Sequence, residues 1–396
     1  MDCLVELYND DQISNLTVIF SFMPKKVVLL YDMNNMDKTG MDYLRLACSA
    51  KIPNIKFEYR SFDNSDIDEA TEICTSIIHK NPHCFFDITG AGELGVIGAY
   101  LACKKTFTPI FKLNIPSGKL VNIYGCNSLE KKFNLPNLTM DTIFASHGTT
   151  ITGYNHPAPP PELFNSILEF CNFIFENPAN WKDLCYYLQT GNAKFPQILK
   201  KNFFWAPKLI NTSKAKIKFS SADLLKKAER ASLIYNLDIS QSSVSFYFKN
   251  EKVKRYLTDF GVWLELYCYI ELKQCNLFHD VRISVKIDWN NNGKDHFVEI
   301  INEIDITFFY KTRPCFLSCK LSEPSSEALQ ELSMYQSYFG GKSSKSILVV
   351  LNTVNKKNSY VYKRAKDMNI YMMDGTDIKT GKFIASIKKA LKINVS

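Results

Sequence analysis

Histidine is scarce in this 396-residue chain, with six copies, and its twelve cysteines include no Cys-x-x-Cys pair. Zinc sites built on that spacing are therefore excluded. Long apolar runs are missing too. The longest, Val27–Tyr31 and Ile347–Leu351, are strand-sized and far short of the roughly 20 residues that span a bilayer. The first residues carry acids, Asp2 and Glu6, where a signal peptide needs basic charge, so a cytoplasmic location and no membrane partner are expected. There is no internal repeat and no low-complexity tract. What is present is an ordinary globular composition, 46% apolar and 22% charged, which argues against disorder. Cys48, Cys74, Cys103, Cys171 and Cys268 sit inside apolar runs and read as free buried thiols in a reducing compartment. The formal net charge of +8 suits a polyanionic partner and equally a Lys-rich surface.

The length calls for more than one hydrophobic core. Over residues 1–150 strands alternate with helices. Lys26–Tyr31 and His83–Ile88 read as strands, Asp66–His79 and Glu93–Lys104 as helices, and polar or Gly-rich loops follow the strands directly. That order implies an α/β fold with a mostly parallel sheet, whose ligands bind beyond the strands' carboxyl ends. Residues 151–255 open with Pro157–Pro161, where four prolines predict a stiff linker. The pattern is then helical from Glu162 to Leu199 and mixed and basic from Lys200 to Phe260. A second α/β unit follows over 256–396. Val262–Lys273 reads as a helix, Asp280–Trp289 and His296–Ile306 as strands around an Asn290–Gly293 turn, and Cys315–Leu321 as a strand. Ser325–Phe339 reads as a helix with Ser325 and Ser326 as caps.

In this second unit, residues two apart on a strand share a face, which pairs Glu303 with Asp305 and Ser318 with Lys320. A hairpin would bring the pairs together on strands that normally bury their faces. Buried carboxylates demand partners or a metal, and their oxygens suit Mg²⁺ or Mn²⁺. Lys320 could position a water or stabilise charge on a phosphate. Glu265, on the preceding helix, could reach the same ion, and Gln336 and Tyr338 could face the site from the following helix. In the first unit, Gly90 and Gly92 let backbone approach a phosphate at a helix N-terminus. His147 is a further ligand candidate beside its structural reading.

The order of helix, strand with Asp, turn, strand with x-Lys and helix resembles the PD-(D/E)xK restriction-endonuclease superfamily. Gly261–Glu265, Glu303-Ile-Asp305, Ser318-Cys-Lys320 and Gly340-Gly341, with Asp10–Leu16 and Asp87–Leu94, look like the CRISPR-associated CARF-nuclease effectors. The resemblance implies an N-terminal Rossmann-like CARF domain and a C-terminal restriction-endonuclease-like domain. It implies a cyclic oligoadenylate activator, cyclic tetra-adenylate foremost, and a homodimer that cleaves DNA and/or RNA in type III CRISPR defence. Gln12, Asn15, Asp32, Thr89, Gly90, Ala91, Gly92 and Glu93 would meet the activator. Asp305, Glu265, Glu303 and Ser318 would hold the metal, and Lys320 would act on the phosphate. The family usually has Glu where Ser318 stands, and Gly-Gly-Thr-Lys where this chain has Gly90–Glu93. Two other readings compete: a ligand-controlled nucleic-acid-binding regulator with an inert nuclease fold, and a nuclease without ligand control.

Overall fold

A computed structural model describes residues 1–90, 92–115, 117–126, 134–196, 201–213, 215–289, 301–322, 326–352, 354 and 359–393. The N-terminal sheet contains β1 (Cys3–Leu7), β2 (Lys26–Asp32), β3 (Lys56–Phe62), β4 (Cys84–Asp87), β5 (Ile110–Asn114) and β6 (Lys119–Tyr124), in the order β3-β2-β1-β4-β5-β6. β1 to β5 are parallel and β6 is antiparallel to β5. The continuous apolar run of β2 is explained by burial on both faces, since helices cover both sides. Helices α1 (Gln12–Phe22) and α2 (Lys38–Lys51) contribute to one apolar cluster, α3 (Ile67–Lys80) and α4 (Glu93–Thr106) to the other. α3 begins where Asp66 accepts from the amide of Glu69, with Asp68 and Glu69 in its first turn and His79 and Lys80 in its last, complementing the helix dipole.

A short helix, α5 (Met140–Ala145), leads into β7 (Thr150–Tyr154). β7, just ahead of the proline run, pairs with β13 (His279–Asp288) as an edge strand of the C-terminal sheet. The prolines that follow are pinned: the hydroxyl of Tyr256 donates to the carbonyl of Pro157. Helices α6 (Phe164–Glu176) and α7 (Pro178–Lys194) fall where Glu162–Leu199 reads as helical, and the mixed, basic stretch after them holds β8 (Phe203–Pro207), β9 (Leu209–Asn211), β10 (Lys216–Lys218), α8 (Ala222–Arg230), β11 (Ile234–Ile239), β12 (Ser243–Phe248) and α9 (Glu251–Leu257). Its antiparallel sheet runs β11-β12-β8.

Next come α10 (Val262–Gln274), β13, β14 (Ile301–Tyr310), β15 (Arg313–Lys320), α11 (Ser326–Gly340) and β16 (Lys345–Val350). They are followed by α12 (Tyr360–Asp367), β17 (Tyr371–Met373), α13 (Gly375–Lys379) and α14 (Phe383–Ala390). The C-terminal sheet has the order β17-β16-β15-β14-β13-β7. α10 packs into the cluster on one face and α11 into the cluster on the other. The second cluster is continuous with the one beneath α1 and α2 and includes Phe144 of α5 and Phe339 of α11, whose rings meet edge-on at 4.6 Å. The expected turn at Asn290–Gly293 and the Ser325 cap lie outside the described residues.

Candidate ligand cavity and candidate active site

The loops after β1, β2, β3 and β4 converge at one edge of the N-terminal sheet. They line a cavity whose walls include Tyr8, Asp10, Asp32, Asn64, Gly90 and Gly92. A second cavity opens beside it, between Gln12, Thr89 and Gly90 on one side and His147, Tyr338 and Gly341 on the other. Asn9 and Asp10 line both. Local hydrogen bonds shape these walls. Asp11 caps α1, accepting from the amide of Ile13 (3.2 Å) and the hydroxyl of Ser14 (2.8 Å). The Asn9 carboxamide accepts from the amide of Asp11 at 2.7 Å. A Cβ on Gly90 would lie 1.5 Å from Nδ2 of Asn9, so the close approach of these loops requires glycine.

Of the expected contacts, Gln12, Asp32, Thr89, Gly90 and Gly92 line one cavity or the other. Asn15 does not. It is fully buried, donates to the carbonyl of Asn9 (2.8 Å) and to Oε1 of Gln12 (3.2 Å), and accepts from Asn9 (3.2 Å). Its role is to hold the loop, because a buried amide must spend its donors inside the protein. Glu93 is exposed in the first turn of α4, where its charge suits the helix N-terminus, and it lines neither cavity. Ala91 lies outside the described residues. The sequence reading missed Asn9 and Asn64, although each stands in a polar loop directly after a strand. His147 lines the second cavity. Its Nδ1 lies 2.8 Å from the carbonyl oxygen of Ile143, and burial pushes its pKa below the usual histidine range.

Behind the Thr89 loop lie two fully buried acids, Glu6 and Asp87, paired in register on β1 and β4. Burial raises Asp87 to about 6, opposed by the hydroxyl of Thr89, which donates to it at 2.5 Å. Burial and the neighbouring Asp87 raise Glu6 well above the carboxylate range, and among the described residues neither Glu6 oxygen meets a donor.

In the C-terminal sheet, the β14–β15 ladder runs from Tyr310↔Arg313 to Ile306↔Leu317. Past that pair the carboxylate of Asp305 is inserted between the strands, accepting from the amide of Cys319 (2.7 Å) and the hydroxyl of Ser318 (3.1 Å). Asp305 and Lys320 thus meet at the open end of the hairpin, not across its turn. Burial raises Asp305, while the Lys320 charge, the Cys319 amide and the Ser318 hydroxyl pull it down. Glu265 comes in from α10 and accepts from the hydroxyl of Ser284 at 2.8 Å; burial and then Asp305 raise it well above its usual range. Ser284 holds a left-handed φ of 50° within β13, a backbone conformation that non-glycine residues rarely adopt. Glu303 stands further along β14 and is raised by burial and by Asp305, with Asn155 and His156 opposing.

The structure therefore brings Glu265, Asp305 and Ser318 together, with Lys320 and Glu303 near enough for their charges to act on the acids. Tyr338 is not part of this group: its hydroxyl donates to the carbonyl of His147 (3.2 Å), at the second cavity. Gln336 has a buried amide oxygen that meets no donor among the described residues. Tyr335, which the sequence reading did not single out, donates to the carbonyl of Glu303 at 3.4 Å.

Residues 250–391 match the family model of the Card1-like endonuclease domain. Two solved structures share the fold along the whole chain. Can2 from Sulfobacillus thermosulfidooxidans, solved in complex with cyclic tetra-adenylate, is 17% identical, with 99% of each chain covered and a TM-score of 0.67. Protein VC1899 from Vibrio cholerae is 15% identical, with 99% of each chain covered and a TM-score of 0.75. The shared fold spans both the N-terminal sheet and the matched endonuclease domain. No curated protein matches the chain. The loops after β1 to β4 lie outside the endonuclease match, and the carboxylates around Asp305 lie within it.

Proposed function

We propose that the protein is a cyclic oligoadenylate-activated, metal-dependent nuclease of type III CRISPR defence. The observation that carries this reading is the group of Asp305, Glu265 and Lys320 inside a domain matched to Card1-like endonucleases. Phosphodiester hydrolysis needs positive charge beside the phosphate and a positioned water. Lys320 supplies the first from the protein itself. Among the described residues no three His, Cys, Asp or Glu side chains form a metal-holding group. Asp305 and Glu265 nevertheless fit a divalent cation chemically, because two acids raised by burial, Glu265 also by the charge of Asp305, are stabilised by one. A bound Mg²⁺ or Mn²⁺ would polarise water or phosphate. Ser318 spends its hydroxyl on Asp305 and so orients that carboxylate, while Glu303 stands where it could serve as an outer partner.

The cavity within the CARF loops and its neighbour between those loops and α11 suit a ring of nucleotides, and Can2, of the same fold, was solved with cyclic tetra-adenylate. A ring of repeated adenylates has internal symmetry, which a homodimer would match with two copies of one loop set. Because the second cavity has walls from both the CARF loops and α11, an activator there would act through its different affinity for two arrangements of these elements. Twelve cysteines without a disulfide suit the reducing cytoplasm. The test is incubation with Mn²⁺ and labelled DNA and RNA, with and without cyclic tetra- and hexa-adenylate. Cleavage that is indifferent to both rings would remove ligand control, and absence of cleavage with every ring and metal would remove the nuclease.

A further inference from the structure

The middle sheet has a surface feature that neither the loops after β1 to β4 nor the Asp305 group uses. Its inner face, with Phe204, Phe246 and Phe248, is buried in the core. Its outer face is also aromatic, which is unusual for a solvent side. Cross-strand register sets Tyr235, Tyr247 and Phe203 in one row across β11, β12 and β8. The Tyr235 and Tyr247 rings stack at 5.2 Å and 9°, and Tyr247 and Phe203 lie 4.7 Å apart. In the next row Trp205 stands opposite Ser245, with Tyr235 46% and Trp205 38% exposed.

The segment that carries this face is strongly basic. Residues 201–257 contain twelve of the chain's 48 Lys and Arg but only four of its 40 Asp and Glu, so this segment alone accounts for the net charge of +8. Among the described residues none of these cations forms an ion pair. Lys201 and Lys249 flank one end of the sheet, where the amide of Phe248 donates to the carbonyl of Asn202, and Lys208 flanks the other.

We propose that this face is a platform for single-stranded nucleic acid, which feeds the strand toward the nuclease domain. The last clause rests on the proposed nuclease function; the binding site itself does not. Exposed rings in a row offer successive stacking surfaces, and unpaired lysines at both ends attract phosphates. A duplex hides its base faces and cannot use the rings. Stacking does not read the sugar, so DNA and RNA strands bind alike.

Fluorescence anisotropy tests this on the full chain in EDTA, without cyclic nucleotide, using labelled oligo(dT), oligo(rU) and a duplex of equal length. Both single strands are expected to bind with affinities within about tenfold of each other and more tightly than the duplex. Trp205→Ala should weaken binding by about tenfold or more, the scale of one lost stack, with Trp205→Phe retaining most of it. Lys201→Gln with Lys249→Gln should flatten the salt dependence. Circular dichroism melting checks that each variant is folded, and Trp205 is exposed enough to be replaced safely. Preference for duplex, more than tenfold discrimination between the sugars, or an unchanged affinity in folded Trp205→Ala overturns the proposal. Binding of neither strand also overturns it and points to a protein partner for this face. Because the assay contains no metal, its failure is separate from any failure of cleavage.

Discussion

At the residue scale, Asp305 is the sharpest point of test. Its carboxylate replaces a backbone partner for the Cys319 amide and also faces Lys320. Asp305→Ala should abolish cleavage in the labelled-substrate assay while leaving cyclic tetra-adenylate binding intact; full activity would move the active site elsewhere. Lys320→Ala should slow cleavage by about 10²–10³-fold with little change in metal titration, as for the loss of one electrostatic donor. Ser318→Glu tests the same acids from a third side, because the Ser318 hydroxyl donates to Asp305. The variant loses that donor and places a third acid beside two already raised. Without metal its melting temperature should fall, and with saturating Mn²⁺ it should recover; a variant indifferent to Mn²⁺ would show that these acids hold no ion. Glu6 offers a pH test. Acids raised by burial stabilise the fold most below their unfolded pKa of about 4 and lose that contribution as pH rises through the folded value, which is about 6 for Asp87, while Glu6 is also raised well above the carboxylate range. Glu6→Gln removes one of the two charges, so it should melt at a higher temperature than wild type at pH 8, with the gap closing toward pH 5.

At the element scale, Gly90→Ala should weaken cyclic oligoadenylate binding by calorimetry, since its new Cβ must displace Asn9, which lines both cavities. An unchanged affinity would mean that the ring sits elsewhere. Most elements were legible from the sequence because their patterning is local. β2 is a bare apolar run, α3 has caps and charge at both ends, and Glu303 to Lys320 follow strand alternation. Asn15 was misread because a polar residue in a post-strand loop looks alike whether it faces a ligand or holds the loop, and only burial separates the two. The middle segment was unreadable for a different reason. Its strands are short and aromatic on both faces, so the alternation that marks a half-buried strand is absent from Phe203–Trp205 and Phe246–Phe248. The pairing of Thr150–Tyr154 with β13, just ahead of the proline run, is a long-range fact that no local pattern records.

At the scale of the whole molecule, the apolar cluster that runs from α1 and α2 through α5 to α11 joins what the sequence presents as separate parts. Scanning calorimetry should therefore give one cooperative transition for the chain, and two well-separated transitions would count against a shared core. Light scattering should give a dimer with and without cyclic tetra-adenylate, and a monomer in both states would remove the symmetric site. The pinned prolines bear on how such an assembly could be re-engineered. Strand β7, ahead of them, is hydrogen-bonded into the nuclease sheet, and the segment behind it is tied to Tyr256 and, through His156, to Asp259. A chimera cut at the proline run would tear an edge strand from one half and leave it dangling from the other. A sensor transplant from this protein has to carry residues 150–154 with the effector, as a split-intein or fusion design would treat an inseparable exon.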